Sequence, residues 1–106
     1  MTTPPPRDHS ITLAEAMAHT RRFREANPSP KTEKAVMFWR GGGLDELMAQ
    51  SGCAGIRIYF GRDPGGAGAM VVVGVDIRGG DLSGGPILEE GLPCPPWCPP
   101  SSPLAG

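Results

Sequence analysis

The uneven distribution of glycine and proline constrains the fold of this chain more than any other feature of its sequence. Residues 1–40 contain no glycine, whereas residues 41–91 contain fifteen of the sixteen glycines. Nine of the thirteen prolines lie close to the two ends of the chain. Because proline fixes φ and removes an amide donor, both ends favour extended backbone. The pattern predicts a flexible Pro-rich head at residues 1–9, a single folded domain over 10–91 and a Pro/Cys-rich tail over 92–106.

The composition excludes several classes of protein. Ten Lys and Arg residues against eleven Asp and Glu leave a net charge of −1, so the chain lacks the basic face that nucleic acids require. It has no run of about 18 apolar residues that would span a membrane. Its first residues also lack the apolar segment of a secretory signal. We therefore expect a cytoplasmic protein that binds neither nucleic acid nor membranes.

The first helix is predicted over residues 11–26. Thr12 and Glu15 have the spacing of a capping box, in which each side chain bonds to the other residue's amide. An apolar face follows at helical spacing, and Asn27-Pro28 ends the helix. Such an amphipathic helix needs a surface on which to pack.

A second helical region is predicted over residues 30–50. Ser29 is a suitable cap, and Pro30 suits the first helical position, where its missing amide matters least. The glycines at 41–43 interrupt the pattern, each costing roughly 1 kcal/mol relative to alanine. We expect either one bent helix or two short helices, with a break at these glycines.

A change of period after residue 55 predicts strands. Ile56, Ile58 and Phe60 alternate with polar positions, which is typical of a strand with one buried face. Met70–Val75 is apolar on both faces and β-branched, which predicts a central strand. The turn residues 63–66 join the two into a hairpin of strands 55–61 and 69–77.

A third strand is predicted over residues 86–90. The expected fold class is therefore α+β, with two or three helices packed on one face of a small antiparallel β-sheet. Two strands alone are marginal in water, so helices must cover the hairpin.

The cysteines carry the most distinctive chemistry in the sequence. Cys94 and Cys98 stand four positions apart among prolines, and together with Cys53 they offer three thiolates to a zinc ion. Three is an odd number, and thiols stay reduced in the cytosol, so a disulfide framework is not expected. A thiol-redox role is a further alternative, although such activity favours two cysteines three positions apart at the start of a helix.

The favoured function is a non-catalytic interaction or assembly module that associates with itself. This interpretation needs no cofactor, whereas the zinc-binding alternative uses the three cysteines. Small domains gain little stability from their own core, so self-association, a metal or docking of the tail is expected to help. Aromatic side chains are typical of interfaces, and the candidate interface residues are Phe38, Trp39, Tyr59, Phe60 and Trp97.

Three motifs resemble a family of small uncharacterised bacterial proteins. They are GCAGIRIYFG over residues 52–61, VVGVD over residues 72–76 and CPPWC over residues 94–98. The family pattern has a GCxGIRIYYG strand, an LVLVGVD strand and a PCPPxC tail. The resemblance covers residues 10–104 and implies a reusable module, without implying a particular chemistry.

Overall fold

The computed structural model, which describes residues 2–106, has an α+β fold with two helices and two antiparallel sheets among those residues. This confirms the predicted fold class. The helices are α1 (Leu13–Ala26) and α2 (Leu44–Met48), and Arg40–Gly42 forms a single 3₁₀ turn. The strands are β1 (Ala35–Met37), β2 (Gly55–Arg62), β3 (Gly68–Val75), β4 (Ile87–Leu88) and β5 (Leu92–Cys94).

The chain divides into two compact units, each built from two segments. The sheet unit comprises residues 37–91 together with the described part of the first six residues. The tail unit comprises residues 7–36 and 92–106. These units are defined by contacts within the chain and do not test the domain boundaries expected at residues 9 and 91. Those boundaries stay predictions. Met1, which belongs to the predicted head, lies outside the described residues.

In the tail unit, α1 has the predicted capping box. The Glu15 amide donates to Thr12 Oγ1 and the Thr12 amide donates to Glu15 Oε1, each at 3.1 Å. These bonds satisfy two amides that have no partner inside the helix. At the other end, Asn27 Nδ2 donates to the carbonyl oxygen of Phe23 at 3.0 Å. The helix therefore begins two residues later than predicted and ends where expected.

The prediction of a helical region over residues 30–50 is wrong for most of its length. β1 pairs with β5 instead, and the Lys34 amide donates to the carbonyl oxygen of Cys94 at 2.8 Å. This pairing joins residues almost sixty positions apart, so local periodicity does not reveal it. Gly43 has φ of 123°, which an α-helix does not allow. Within residues 30–50, α-helix is present only in α2, after that glycine.

The hairpin of β2 and β3 confirms the second main prediction. The strands pair antiparallel from Gly55↔Val75 to Arg62↔Gly68. Asp63 Oδ1 accepts a bond of 2.9 Å from the Ala67 amide and so closes the turn. β3 is the central strand, as expected, because the order of the three-stranded sheet is β2-β3-β4. The predicted third strand is present as the two-residue β4.

The core of the sheet unit lies between α2 and one face of β3 and β4. Leu47 is completely buried, and Val72 is almost so. A Cβ added to Gly74 would lie 3.1 Å from Cys53 Sγ. A Cβ added to Gly43 would lie 2.7 Å from Leu88 Cδ2. A side chain at Gly43 would displace Leu88 and is also disfavoured by the φ of 123°, whereas one at Gly74 would require a smaller shift of the neighbouring side chains.

Replacing Leu47 tests this core. Leu47→Ala leaves a cavity under α2, so we expect it to lower the free energy of unfolding by about 2–5 kcal/mol in a urea titration. Met48→Ala is the matched control in the same helix, because Met48 is largely exposed. The control should change stability by about 0.5 kcal/mol or less. Equal effects of the two variants would contradict the assigned core.

Candidate functional site

The outer edge of β2 has no pairing partner within residues 2–106. β2 lies at one side of the three-stranded sheet, and only β3 pairs with it. The register continues into the turn, where the Asp63 amide donates to the carbonyl oxygen of Ala67. The carbonyl oxygen of Gly74, opposite Ile56, accepts from the Leu82 amide and so points away from β2. Odd-numbered residues of β2 therefore bond to β3, and even-numbered residues direct their amide and carbonyl groups to the open edge.

The same even-numbered residues carry exposed apolar side chains. Ile56 and Ile58 are 44% and 45% exposed, and Phe60 is 86% exposed. They share a sheet face with their cross-strand partners on β3. The expectation that this face of the strand is buried is therefore wrong. Its physical cause is the length of α2, whose five residues pack over β3 and leave β2 uncovered.

On the opposite face, a polar cluster ties β2 to the turn after β3. Arg57 Nη1 donates to Asp81 Oδ1 and, at 2.9 Å, to the carbonyl oxygen of Gly79. The Tyr59 hydroxyl donates to Asp81 Oδ2. One carboxylate thus receives a hydrogen bond from each of two alternate residues of the edge strand. The cluster holds β2 in a fixed orientation, which leaves its outer edge available.

These contacts shift the ionisation of both acidic groups. The hydrogen bond from Tyr59 lowers the pKa of Asp81 below its ordinary value, and the Arg57 guanidinium adds to the effect. The bond to Asp81 raises the pKa of Tyr59, because the neutral hydroxyl is the donor. Asp81 is therefore a carboxylate at neutral pH, where the cluster is complete.

The structure brings only part of the predicted interface together. Tyr59 and Phe60 are neighbours on β2 and lie on opposite faces of the sheet. Trp39 is 66% exposed in the sheet unit, where Phe38 is half-buried. Trp97 is exposed in the tail unit.

Sequence reasoning missed Ile56, Ile58 and Asp81 as site residues. The alternation of the isoleucines was visible, but the strand order that leaves their edge open was not. No local pattern indicated that Asp81 would bind residues more than twenty positions earlier in the chain.

Two of the three cysteines are bonded to each other. Cys94 and Cys98 are joined by a disulfide with a Cα–Cα distance of 4.6 Å, which corrects the expectation that all three thiols are free. The Trp97 amide donates to the carbonyl oxygen of Pro93 at 2.9 Å, and this turn brings the two sulfurs together. Cys53 belongs to the sheet unit, where its Sγ donates to the carbonyl oxygen of Gly55. Across the described part of the chain, no group of three His, Cys, Asp or Glu side chains could hold a metal ion, so the zinc hypothesis gains no support.

The pH dependence of stability tests the polar cluster. A group whose pKa is lowered by folding stabilises the fold above its unfolded pKa, about 3.9 for Asp, and loses this effect as the pH falls through the folded value. We expect Asp81→Asn to lower the melting temperature at pH 7 and the difference from the wild type to shrink below about pH 4. Glu89→Gln, which removes an exposed carboxylate from the same unit, is the control. A difference that persists unchanged at low pH would contradict the assignment.

The comparisons with known proteins identify no family for this chain. In residues 2–106, no helix is both long and apolar enough to cross a membrane. Searches against protein-family models, curated proteins and solved structures find no match. The family resemblance of the three motifs therefore stays a resemblance.

Proposed function

We propose that this protein is a non-catalytic assembly module that associates with a second copy of itself through the open edge of β2. The observation that supports the proposal is the coincidence of two unsatisfied features at Ile56, Ile58 and Phe60. Their backbone groups point to the open edge, and their apolar side chains are exposed on one face. A long, apolar, unpaired strand edge is a template for pairing with another chain. A cytoplasmic location belongs to the same proposal.

The second copy is the occupant that fits this edge best, because the strand is complementary to itself. Two antiparallel copies of β2 related by a two-fold axis perpendicular to the sheet keep the same faces together. With Ile58 on the axis, the two Ile58 residues exchange both backbone hydrogen bonds. Ile56 and Phe60 then form the next hydrogen-bonded pairs, one on each side of the axis. The result is a continuous six-stranded sheet.

The side-chain pairs in this register are favourable. Phe60 faces Ile56 of the second copy on the apolar face, and an aromatic opposite a β-branched residue stabilises a sheet. On the polar face, Arg57 lies opposite Tyr59 of the second copy, and each side chain stays bound to Asp81 of its own chain. No arginine faces an arginine. Centring the axis on Arg57 would place the two guanidinium groups directly opposite each other, so that register is disfavoured.

The available area suits a modest interface. An aromatic side chain buries about 150–250 Å², and each copy contributes one tyrosine that is half-exposed and one phenylalanine that is nearly fully exposed. With the two isoleucines and the strand edge, both copies together bury roughly 1,000 Å², which is near the lower limit for specific interfaces. We therefore expect a weak, reversible dimer.

A charge at the centre of the edge tests this interface. Ile58→Lys places two like charges opposite each other at the two-fold axis, so we expect the dissociation constant to rise by about tenfold or more. Sedimentation velocity over a concentration series should show the wild type approaching twice the 11.1 kDa chain mass, whereas the variant should need about tenfold higher concentration or more to reach the same dimer fraction. Ile77→Lys is the matched control, since Ile77 is exposed in the same unit outside the strands. A wild type that is monomeric at every concentration, or a control that is equally impaired, would overturn the proposal.

A charge-complementation experiment tests the register. Each of Ile56→Glu and Phe60→Lys should weaken the dimer, because it places a charge opposite an apolar side chain. The double variant should recover dimerisation, since each glutamate then faces a lysine of the second copy, which gives two Glu–Lys pairs related by the two-fold axis. The melting temperature of each variant reports whether the sheet unit remains folded. Recovery that is absent in a folded double variant would exclude this register.

A further inference from the structure

The two cysteines of the Cys94–Cys98 disulfide differ in their exposure to solvent. Cys94 belongs to β5 and is 2% exposed. Cys98 is exposed after the turn that follows β5. In thiol–disulfide exchange the attacking thiolate must reach one sulfur, and the other sulfur leaves. The difference in exposure therefore favours attack at Cys98 and departure of Cys94.

The exposed cysteine, Cys98, lines a cleft of about 200 Å³ in the tail unit. Pro95, Phe23, Arg24 and Lys34 are among the other residues that line it. Its volume lies below the roughly 300–1,000 Å³ of pockets for drug-sized ligands, so the cleft suits a small molecule. Cys94 is absent from the described lining of this cleft.

The cleft has a positive charge. Arg24 and Lys34 line it, and no Asp or Glu is among its described lining residues. Arg24 Nη1 donates to the carbonyl oxygen of Leu104 at 2.7 Å, and Lys34 Nζ donates to that of Ala105 at 3.1 Å. A neutral carbonyl orients a cation without cancelling its charge. Both side chains therefore attract an anion into the cleft next to Cys98.

We propose that the Cys94–Cys98 disulfide is a thiol-exchange site, which a small anionic thiol enters through this cleft and attacks at Cys98 Sγ. The proposal is independent of the self-association through β2, because it concerns only residues of the tail unit. It assigns a substrate class, low-molecular-weight thiols that carry an acidic group, and a direction of attack.

The reaction proceeds in two balanced steps. The thiolate of the small thiol forms a bond to Cys98 Sγ, the bond between the two cysteine sulfurs breaks, and its electron pair leaves with Cys94 Sγ, which takes up a proton. A second thiolate then attacks the sulfur of the small thiol in this mixed disulfide and releases Cys98 as a thiol. The protein is reduced by two electrons, and two molecules of the small thiol become one disulfide.

Three thiols of similar size and different charge test the proposal on the full-length protein. 2-Mercaptoethanesulfonate is anionic, 2-mercaptoethanol is neutral and cysteamine is cationic. The rate at which each thiol cleaves the disulfide in the folded protein is divided by its rate with the urea-unfolded protein, which removes differences in the intrinsic reactivity of the thiols. We expect the anionic thiol to exceed the cationic thiol by on the order of tenfold at low salt. High salt should largely abolish the preference. Acid quenching and peptide mapping by mass spectrometry should place the mixed disulfide on Cys98, and the same map follows the free thiol of Cys53.

Substitutions distinguish the cleft from a general effect of charge. Arg24→Gln and Lys34→Gln should each reduce the preference for the anionic thiol, whereas Arg21→Gln, which alters a cation of α1 outside the cleft lining, should leave it unchanged. If a cleft variant fails to fold, the salt dependence of the preference of the wild type for the anionic thiol still tests the proposal. Ile58→Lys should react like the wild type, so failure of the dimer leaves this test intact. Equal relative rates for the three thiols, or a mixed disulfide on Cys94, would overturn the proposal.

Discussion

The antiparallel pairing of β2 with β3 is the interaction on which the rest of the sheet unit depends. Eight residues of each strand pair in one unbroken register, so the orientation of every side chain in the hairpin follows from it. The register places Val72 and Gly74 under α2 and Arg57 and Tyr59 on the opposite face. It also gives the even-numbered residues of β2 their outward backbone groups. Core, polar cluster and open edge are three consequences of one pairing.

Much of the fold follows from local sequence, because the interactions that form it are local. The capping box of α1 spans four residues, and the turn between β2 and β3 is closed by Asp63 and Ala67. The second predicted helix is wrong because β1 pairs with a strand at the far end of the chain. The Cys94–Cys98 disulfide was missed for a different reason. Its spacing was visible, but the expectation of a reducing environment took precedence over the short turn that brings the sulfurs together.

The candidate site was predictable only in part, because it consists of an edge and a face of β2 that no other element covers. The sequence pattern placed Tyr59 and Phe60 on a strand and indicated a self-associating module. It also indicated that Ile56 and Ile58 face a core, which is wrong. Alternation shows which residues share a face of the strand, but it does not show whether another layer packs on that face. That depends on the length of α2, which the glycines before it shorten, and on a strand order set by contacts distant in sequence.

Edge strands in natural proteins usually carry a feature that prevents pairing, such as a lysine, a proline, a bulge or an inward-pointing charge. Residues 55–61 contain no proline, their pairing with β3 has no interruption, and their single charge is Arg57. That guanidinium is bound to Asp81 and to the carbonyl oxygen of Gly79, and the backbone groups of Arg57 point towards β3. Its charge is therefore directed along the sheet face towards the turn and not outward from the edge. The polar cluster thus has two effects, because it stabilises the sheet unit and directs the charge at the centre of β2 away from the open edge.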